Sequence, residues 1–594
     1  MLLTQKTANV VLHDYEFKPF VNHDKPLLYL CSGGPGTGKT FTINFLDKLS
    51  QLQPRIQIVK ACFMGTAAIQ ARGMTLHNLL GLGIDNGHKM GEPIPKLDDI
   101  ITLYNLRKNF KLNGFDKRTL PIIILDEISM VTPTLLACLH VYLTQLTGVD
   151  APFGGIPVLL FGDFNQIEPV GNKNNGLADA AVQLVEKDYN RIRHLRNQPA
   201  QNPTTTTRRG RLKKIRKNTD KTGKFAPNAS YRLGATLFSE ATWLPLIEQQ
   251  RSHDPKHTEF VNHMFHRQRL HPSLFQTYKE LSTRDLQNPD SPWHFAPFIV
   301  TTNRDRVDIC SEQATKFAKH NNTVKIRWPV NRRKWVSRPS TMQQRNEAIQ
   351  NDPCFWQEFV VGAPIYITTN IKVDRKLANG TQARLHSLLL SSETDQIELD
   401  RAISAAKPGS TITLPNPPKQ VIVELFYTPE SQDIKNEWIA QGNKSLCDRK
   451  ILVPLNTNKK PKQQNFYIKA GSTYYSSKVT VQPVFPYEIG FAMTVHKSQG
   501  RTLSQVIICL GKRADEIRHL CQLTYSQLFV AMSRVKSSND IRFFFPAHQS
   551  RKIAIDAMCS LLPPKNIIHY FNGFVAPLSK WNPDLVYQSL LNNT

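Results

Sequence analysis

The feature that most constrains this chain is a glycine-rich run near its start that ends in lysine and threonine. The run fits the pattern G-x-x-x-x-G-K-[ST] and reads Gly33-Gly34-Pro35-Gly36-Thr37-Gly38-Lys39-Thr40. An apolar stretch, Leu27 to Cys31, precedes it, and apolar residues recur behind it at helical spacing: Phe41, Phe45, Leu46, Leu49 and Leu52. Glycines let backbone N–H groups turn toward phosphate oxygens, and a helix N-terminus favours the same anion. The run therefore predicts a phosphate loop in an α/β nucleotide-binding domain.

Two side chains of the loop carry specific chemistry. Lys39 is predicted to neutralise the β- and γ-phosphates of a nucleotide, and the hydroxyl of Thr40 to bind Mg²⁺. The whole octet is thus predicted to bind the nucleotide, with ATP and Mg²⁺ as the expected cofactors.

Two further apolar runs predict buried parallel strands that end in polar residues. Pro121 to Leu125 is followed by Asp126 and Glu127. Asp126 is predicted to hold Mg²⁺, and Glu127 to orient and deprotonate the attacking water. The run from Pro157 to Asp163 leads to Gln166, a candidate sensor of the γ-phosphate. Because parallel strands end at one edge of a sheet, these groups are expected near the phosphate loop.

Composition bounds the class of protein. At 594 residues the chain should form several domains. Its 75 Lys and Arg against 47 Asp and Glu give a formal charge of +28, which favours a polyanionic partner such as nucleic acid. The 9 cysteines form no C-x-x-C pair, so we expect neither a zinc site nor a disulfide framework, and we expect a reducing compartment. No apolar run approaches ~20 residues, so we expect a soluble protein without a membrane span.

Two basic stretches stand apart from this pattern. Residues 187–231 lack apolar periodicity and predict a basic, disordered insertion. Its cluster at 208–217 would also fit nuclear import in a eukaryote, with the cytoplasm as the alternative elsewhere. In the stretch from Lys325 to Arg338, Trp328 and Trp335 alternate with basic residues. This pattern suits base stacking and phosphate binding, but it is equally typical of an ordinary solvent-exposed surface with half-buried tryptophans.

The motifs, taken in order, resemble one family. GGPGTGKT, LDEISM, GDFNQIEPV, FSEATW followed by EQQR, NGT, VHKSQGRTL and FVAMSR together resemble the helicases of superfamily one in the petite-integration-frequency (PIF) branch. They extend from about residue 27 to 545.

The resemblance implies an α/β fold with two RecA-like P-loop NTPase domains, ATP at their interface and single-stranded DNA across both. Domain 1A is expected at 1–235, with a small inserted domain 1B at about 78–118. Domain 2A is expected at 236–361 and 482–560, an inserted SH3-like, β-rich domain 2B at 362–481, and a C-terminal extension at 561–594.

The resemblance also implies roles for individual residues. Arg251 and Arg534 match arginines that reach from the second RecA-like domain to the γ-phosphate, where a guanidinium suits phosphoryl oxygens. Gln5 matches an adenine-reading glutamine. Six residues are expected to contact nucleic acid: Thr75, His77, Thr494, His496, Gln499 and Thr502. The chain departs from the family where Phe63-Met64 stands in place of Pro-Thr, which removes a threonine that contacts DNA.

The leading hypothesis is a monomeric, ATP-driven 5′-to-3′ DNA helicase acting on single strands and duplex junctions, in replication, repair or recombination. An RNA translocase of the same superfamily is a second reading, because phosphate contacts and base stacking serve both polymers. A third is an inactive nucleic-acid-binding remnant of a mobile element, against which the intact catalytic motifs argue. A GTPase is disfavoured, since no Asn-Lys-x-Asp guanine reader is present.

Overall fold

The computed structural model divides the chain into two compact units, 1–251 with 563–594 and 252–562. It describes residues 27–592 with interruptions. These are 54–55, 64, 83–105, 107–108, 111–119, 168–175, 197–228, 289, 331, 337–349, 351, 372–376, 427–435, 437–450, 458–461, 471–472, 482–484, 510–522 and 546–549. Side chains are also left undescribed at 66, 69–70, 120, 191–196, 332–336, 462–470 and 473–481. Gln5, the cluster 208–217 and most of the predicted domain 1B therefore lie outside the described residues.

The first unit is built on a six-stranded parallel sheet. Its strands are β1 (Leu28–Gly33), β2 (Ile56–Cys62), β3 (Met74–Thr75), β4 (Leu120–Asp126), β5 (Val158–Gly162) and β6 (Thr242–Leu246). They lie in the order β3-β2-β4-β5-β1-β6. Ile123, Ile124 and Leu125 of β4 are all essentially inaccessible, as expected for a strand covered on both faces.

Within the described residues, helices of the first unit connect these strands: α1 (Lys39–Gln51), α2 (Gly65–Gln70), α3 (Leu76–Leu79), α4 (Pro133–Thr147), α5 (Leu177–Arg196) and α6 (Ala229–Ser239). Helix α4 shows how local sequence sets the ends. Thr132 accepts a hydrogen bond from the Leu135 N–H, Pro133 occupies the first turn, and Gly148 ends the helix in a left-handed conformation.

The second unit contains a parallel sheet of its own, in the order β20-β8-β21-β22-β7. The strands are β7 (Lys279–Glu280), β8 (Phe298–Val300), β20 (Ala492–Thr494), β21 (Val506–Cys509) and β22 (Ile541–Phe543). The helices that the structure describes in this unit are α7 (Pro255–Phe265), α8 (Thr283–Gln287), α9 (Asn303–His320), α10 (Glu393–Ala405), α11 (Val495–Ser498), α12 (Tyr525–Met532) and α13 (Arg551–Cys559).

Between β8 and β20 the chain forms smaller sheets. A five-stranded antiparallel sheet has the order β16-β15-β13-β12-β19, and two three-stranded sheets have the orders β10-β18-β17 and β11-β9-β14. These strands are β9 (Lys325–Pro329), β10 (Arg332–Val336), β11 (Trp356–Phe359), β12 (Pro364–Ile367), β13 (Gln382–Leu389), β14 (Thr411–Thr413), β15 (Gln420–Leu425), β16 (Ile451–Leu455), β17 (Lys462–Ala470), β18 (Thr473–Val481) and β19 (Tyr487–Ile489). They extend beyond the predicted limits of 362–481.

Helices α14 (Lys565–Phe571) and α15 (Pro583–Leu591) belong to the first unit, although they are last in the chain. Ile567, Tyr570 and Val586 are buried in the core that surrounds α4 and α5. The segment was predicted only as an extension. The division between units also falls after Arg251 rather than at the expected 235, because β6 pairs with β1 and completes the first sheet. Within the described residues, no helix is both long and apolar enough to cross a membrane.

Candidate nucleotide site

The glycine-rich run forms the turn between β1 and α1, as predicted. Gly36 and Gly38 have φ of 83° and 86°, a left-handed conformation that residues with a Cβ rarely adopt. Gly38 is the residue before α1, so the loop opens directly onto a helix N-terminus. The Lys39 ammonium donates to the carbonyls of Gly33 and Gly34, at 2.6 and 2.9 Å. The lysine is thereby held across the mouth of its own loop.

The acidic pair lies at the carboxyl end of β4, on the side of the sheet where the phosphate loop lies. Asp126 is 6% exposed and accepts a hydrogen bond from the Glu127 N–H at 2.9 Å. Burial raises the pKa of Asp126, while this hydrogen bond and the nearby charge of Lys39 lower it. Glu127 has φ 55° and ψ 43°, an uncommon conformation for a non-glycine residue that is typical of functional sites.

Gln166 follows β5 and is 4% exposed. Its Nε2 donates to the Asp163 carboxylate at 3.0 Å, and its Oε1 finds no hydrogen-bond partner among the described residues. Asp163 therefore sets the orientation of the amide and leaves its acceptor oxygen for a ligand. No role of Asp163 was predicted from the sequence. An acid at the end of a buried strand was the available signal.

The acidic turn after β4 also carries a buried hydroxyl, that of Ser129. The Ser129 hydroxyl is buried and has no hydrogen-bond partner within the described part of the chain. A Cβ added to Gly162, at the end of β5, would lie 2.7 Å from a side-chain carbon of Ile128, so the turn after β4 lies against the end of β5. Buried unpartnered oxygens beside a carboxylate and a phosphate loop fit a nucleotide with a hard divalent cation, which prefers oxygen ligands.

Arg251 is placed differently from the expectation. It belongs to the first unit and lies beside the phosphate loop, where its Cβ would be 2.5 Å from a Cβ added to Gly36. The expectation that it reaches from the second domain is therefore wrong. Strand β6 directs the chain from Leu246 back across the loop, and sequence spacing alone did not reveal this pairing.

Arg534 lies in the second unit and is only 1% exposed. Its guanidinium donates to the carbonyls of Val530, Ser498 and Arg501, at 2.7, 3.3 and 3.3 Å. The arginine therefore supports the turn that carries the VHKSQGRTL motif.

The residues expected to contact nucleic acid differ in exposure. Gln499 is 1% exposed and neither atom of its amide has a hydrogen-bond partner in the described regions, and Thr494 is buried as well. Thr502 is exposed, and His496 is partly exposed with a pKa lowered by burial. In the first unit, the Thr75 hydroxyl caps α3, accepting from the Asn78 N–H.

His77 has an aromatic neighbour at the point of departure from the family pattern. The rings of Phe63 and His77 meet edge to face, with centroids 5.7 Å apart, and burial lowers the pKa of His77. The ring that stands in place of the family's proline is thus packed on His77, one of the residues expected to contact nucleic acid. Met64, which stands in place of the threonine, lies outside the described residues.

In the basic stretch from Lys325 to Arg338, the described side chains pack against other residues of the second unit. Trp328 is 1% exposed within the core of the second unit. Lys325 pairs with Glu358 at 3.0 Å, and the Arg327 guanidinium lies 4.0 Å from the ring centroid of Trp356. Of the two interpretations left open for this stretch, base stacking does not fit Trp328, because the pairing of β9 turns this ring inward. The Trp335 side chain lies outside the described part.

Comparison with known proteins bears on the same region. Residues 16–196 match the family model of PIF1-like helicases. The ATP-dependent DNA helicase Pif1 of Psychrobacter is 32% identical over 149 residues, which is 25% of this chain and 21% of that protein. The ATP-dependent DNA helicase RRM3 of Saccharomyces cerevisiae is 32% identical over 146 residues, 24% of this chain and 18% of that protein. These matches span about a fifth of the length of the curated relatives.

Solved structures resemble nearly the whole chain. The Pif1 helicase from Bacteroides in complex with ADP-AlF3 and single-stranded DNA aligns with a TM-score of 0.51 and 18% identity, over 96% of this chain and 97% of that one. A structure of two Pif1 helicases at forked duplex DNA aligns with the same TM-score and 17% identity, over 96% of both chains. This likeness establishes the fold, α/β with two RecA-like domains. The match to the family model of PIF1-like helicases covers the phosphate loop, the acidic pair and Gln166.

Proposed function

We propose that this chain is an ATP-dependent 5′-to-3′ DNA helicase that moves on single-stranded DNA and separates duplex junctions. The observation that carries the proposal is the convergence of three features at one edge of the first sheet: the phosphate loop, the buried acidic pair, and the Gln166 Oε1, which has no hydrogen-bond partner among the described residues. The net charge of +28 supports a polyanionic partner. Among the structural neighbours, the Bacteroides Pif1 helicase is bound to single-stranded DNA.

Each residue has a distinct task in ATP hydrolysis. The loop N–H groups and Lys39 bind the β- and γ-phosphates, for which Lys39 leaves the carbonyls of Gly33 and Gly34. A Mg²⁺ ion held through Thr40 and Asp126 would neutralise charge on the phosphates. Glu127 accepts a proton from the attacking water. Gln166, with its Nε2 held by Asp163, presents its Oε1 as an acceptor toward that water.

The wider setting of this activity follows the family. We propose roles in DNA replication, repair or recombination, a monomeric enzyme, and a nuclear location if the source is eukaryotic. An RNA translocase and an inactive nucleic-acid-binding remnant are the alternatives. The same experiment separates all three.

The test is ATP hydrolysis measured alone, with single-stranded DNA and with single-stranded RNA, beside strand displacement from duplexes carrying a 5′ or a 3′ tail. We expect DNA to stimulate hydrolysis and only the 5′-tailed duplex to be unwound. Stimulation by RNA alone would favour the RNA translocase. A preparation that binds DNA but hydrolyses no ATP under any condition would favour the remnant.

Two variants assign the chemistry. Lys39→Ala should lose ATP binding and hydrolysis together, whereas Glu127→Gln should bind ATP and lose hydrolysis, because only the second leaves the phosphate contacts in place. Lys48→Ala is the matched control, since Lys48 is an exposed lysine in the last turn of the same helix. A Glu127→Gln enzyme that hydrolysed ATP at the wild-type rate would show that another group activates the water.

A further inference from the structure

The segment that follows β6 lies directly on the phosphate loop. Gln249 donates from Nε2 to the Pro35 carbonyl at 2.6 Å, and the Gln250 N–H donates to the Gly36 carbonyl at 2.8 Å. The approach is so close that a Cβ added to Gly36 would lie 2.0 Å from the Gln249 Oε1. All these residues belong to the first unit. Two successive carbonyls of the loop are thus held from outside by one short segment.

Holding a carbonyl also sets the direction of an N–H group. The Pro35 carbonyl and the Gly36 N–H belong to one planar trans peptide, so they point in opposite directions. Because the Pro35 carbonyl accepts a hydrogen bond from Gln249, the Gly36 N–H points away from the segment that follows β6. Backbone N–H groups of this loop are the groups that bind phosphate. Gln249 therefore controls the orientation of one of the groups that would hold the anion.

Both ends of the Gln249 amide are used. While Nε2 donates to Pro35, Oε1 accepts from the Arg251 N–H at 2.7 Å. Glutamate has the same shape but could keep only the acceptor half of this arrangement at neutral pH. The side chain is partly buried, which shields both hydrogen bonds from water.

We propose that Gln249 is a positioning residue for the nucleotide site. It orients the Pro35–Gly36 peptide of the phosphate loop and ties this peptide to the backbone of Arg251, so that it tunes phosphate affinity. The inference rests on the proposed ATPase function for its ligand. Its test is nucleotide binding, which is measured without DNA or unwinding.

The first experiment measures the affinity of the full chain for ADP and for a non-hydrolysable ATP analogue, by calorimetry, in the wild type and in Gln249→Glu. The variant removes the donor to Pro35 and sets a carboxylate oxygen against a carbonyl. We expect Kd for both nucleotides to rise about tenfold, because the variant loses one hydrogen bond to the loop and adds repulsion between the carboxylate and the Pro35 carbonyl. KM for ATP should rise in parallel while kcat changes less than about twofold, because the acceptor for Arg251 remains.

Two further variants control this result. Gln250→Ala should bind nucleotide like the wild type, because Gln250 contributes only its main-chain N–H and its side chain is exposed. Gln249→Met, neutral and of similar size, should also weaken binding and should lower kcat as well, because it loses the acceptor for Arg251. Thermal unfolding without nucleotide checks that each variant is folded.

The outcomes separate this inference from the function on which it rests. A wild-type chain that binds neither nucleotide would overturn the proposed function. A wild type that binds both, with Gln249→Glu and Gln249→Met within twofold of its affinity, would overturn the role of Gln249. An equal loss in Gln250→Ala would also overturn it, since the effect would then belong to the segment and not to the side chain.

Discussion

Tyr570 of α14 permits a prediction of stability in which two substitutions of one residue have opposite signs. Its side chain is fully buried, and its ring lies 5.2 Å from Phe238 and 5.5 Å from Trp581, centroid to centroid. Its hydroxyl has no hydrogen-bond partner among the described residues, and burial raises the pKa of the phenol. Burial of the ring therefore stabilises the first unit, whereas burial of the hydroxyl without a described partner destabilises it.

The magnitudes follow from these two facts. Tyr570→Ala removes a large buried ring, which typically lowers the free energy of unfolding by ~3–5 kcal/mol. Tyr570→Phe keeps the ring and removes a buried hydroxyl whose unsatisfied burial costs ~1–3 kcal/mol, so it should raise the free energy of unfolding by about 1 kcal/mol. Tyr587→Phe on α15 is the control, since that ring is only partly buried, and we expect a change within ~0.5 kcal/mol.

The loss of stability in Tyr570→Ala should also affect the candidate nucleotide site. Phe574, which follows α14, stacks on Trp243 at 5.1 Å, and the Trp243 indole donates to the Ser32 hydroxyl at 2.7 Å. Ser32 precedes the first glycine of the phosphate loop. Tyr570→Ala should therefore lose ADP binding at a lower urea concentration than the wild type.

The assay is urea unfolding, monitored by tryptophan fluorescence and, in parallel, by ADP binding, which reports on the phosphate loop of the first unit. A Tyr570→Phe chain less stable than the wild type would show that the hydroxyl has a hydrogen bond in solution and would refute the reasoning. A near-neutral Tyr570→Ala would show that α14 contributes little to the core.

Four further changes test other parts of the molecule. Arg251→Ala should lower kcat for ATP by ~10³ or more with little change in single-stranded DNA affinity, as measured by steady-state kinetics and fluorescence anisotropy. Arg534→Ala should lower kcat as strongly and weaken DNA binding as well, because its guanidinium also holds the turn that carries Gln499 and Thr502. Normal turnover in either variant would show that its guanidinium is not needed at the γ-phosphate. Arg501→Met should reduce stimulation of ATP hydrolysis by DNA while leaving basal hydrolysis intact. Arg501 links the VHKSQGRTL motif to the β-rich part of the second unit, because it donates to the Gly380 carbonyl at 3.0 Å and lies 4.3 Å from the ring centroid of Tyr366. Unchanged stimulation would contradict this. Deletion of the cationic residues 204–224 should flatten the salt dependence of single-strand affinity by ~0.7 in log–log slope per lost phosphate contact, and an unchanged slope would leave nuclear import or a solvated loop as its role.

Much of the candidate nucleotide site in the first unit was predictable, because the residues that form its phosphate loop are neighbours along the chain. The phosphate loop depends on the order of glycines, Lys39 and Thr40 within eight residues, and the strand, turn and helix form around that order. The placement of Asp126, Glu127 and Gln166 at one edge of the sheet was predictable as well, since parallel strands present their carboxyl ends at one edge. The apolar, β-branched run before Asp126 is enough to predict that strand.

Other features were decided only by the tertiary structure. Arg251 lies beside the phosphate loop because β6 pairs with β1, Trp328 is buried because of the way β9 pairs, and Tyr570 enters the first core from the far end of the chain. Gln249 binds Pro35 over 214 residues of sequence. The physical reason is that a motif is defined by neighbours along the chain, whereas burial and hydrogen bonding depend on which distant segments the fold brings into contact, and composition does not encode that pairing locally.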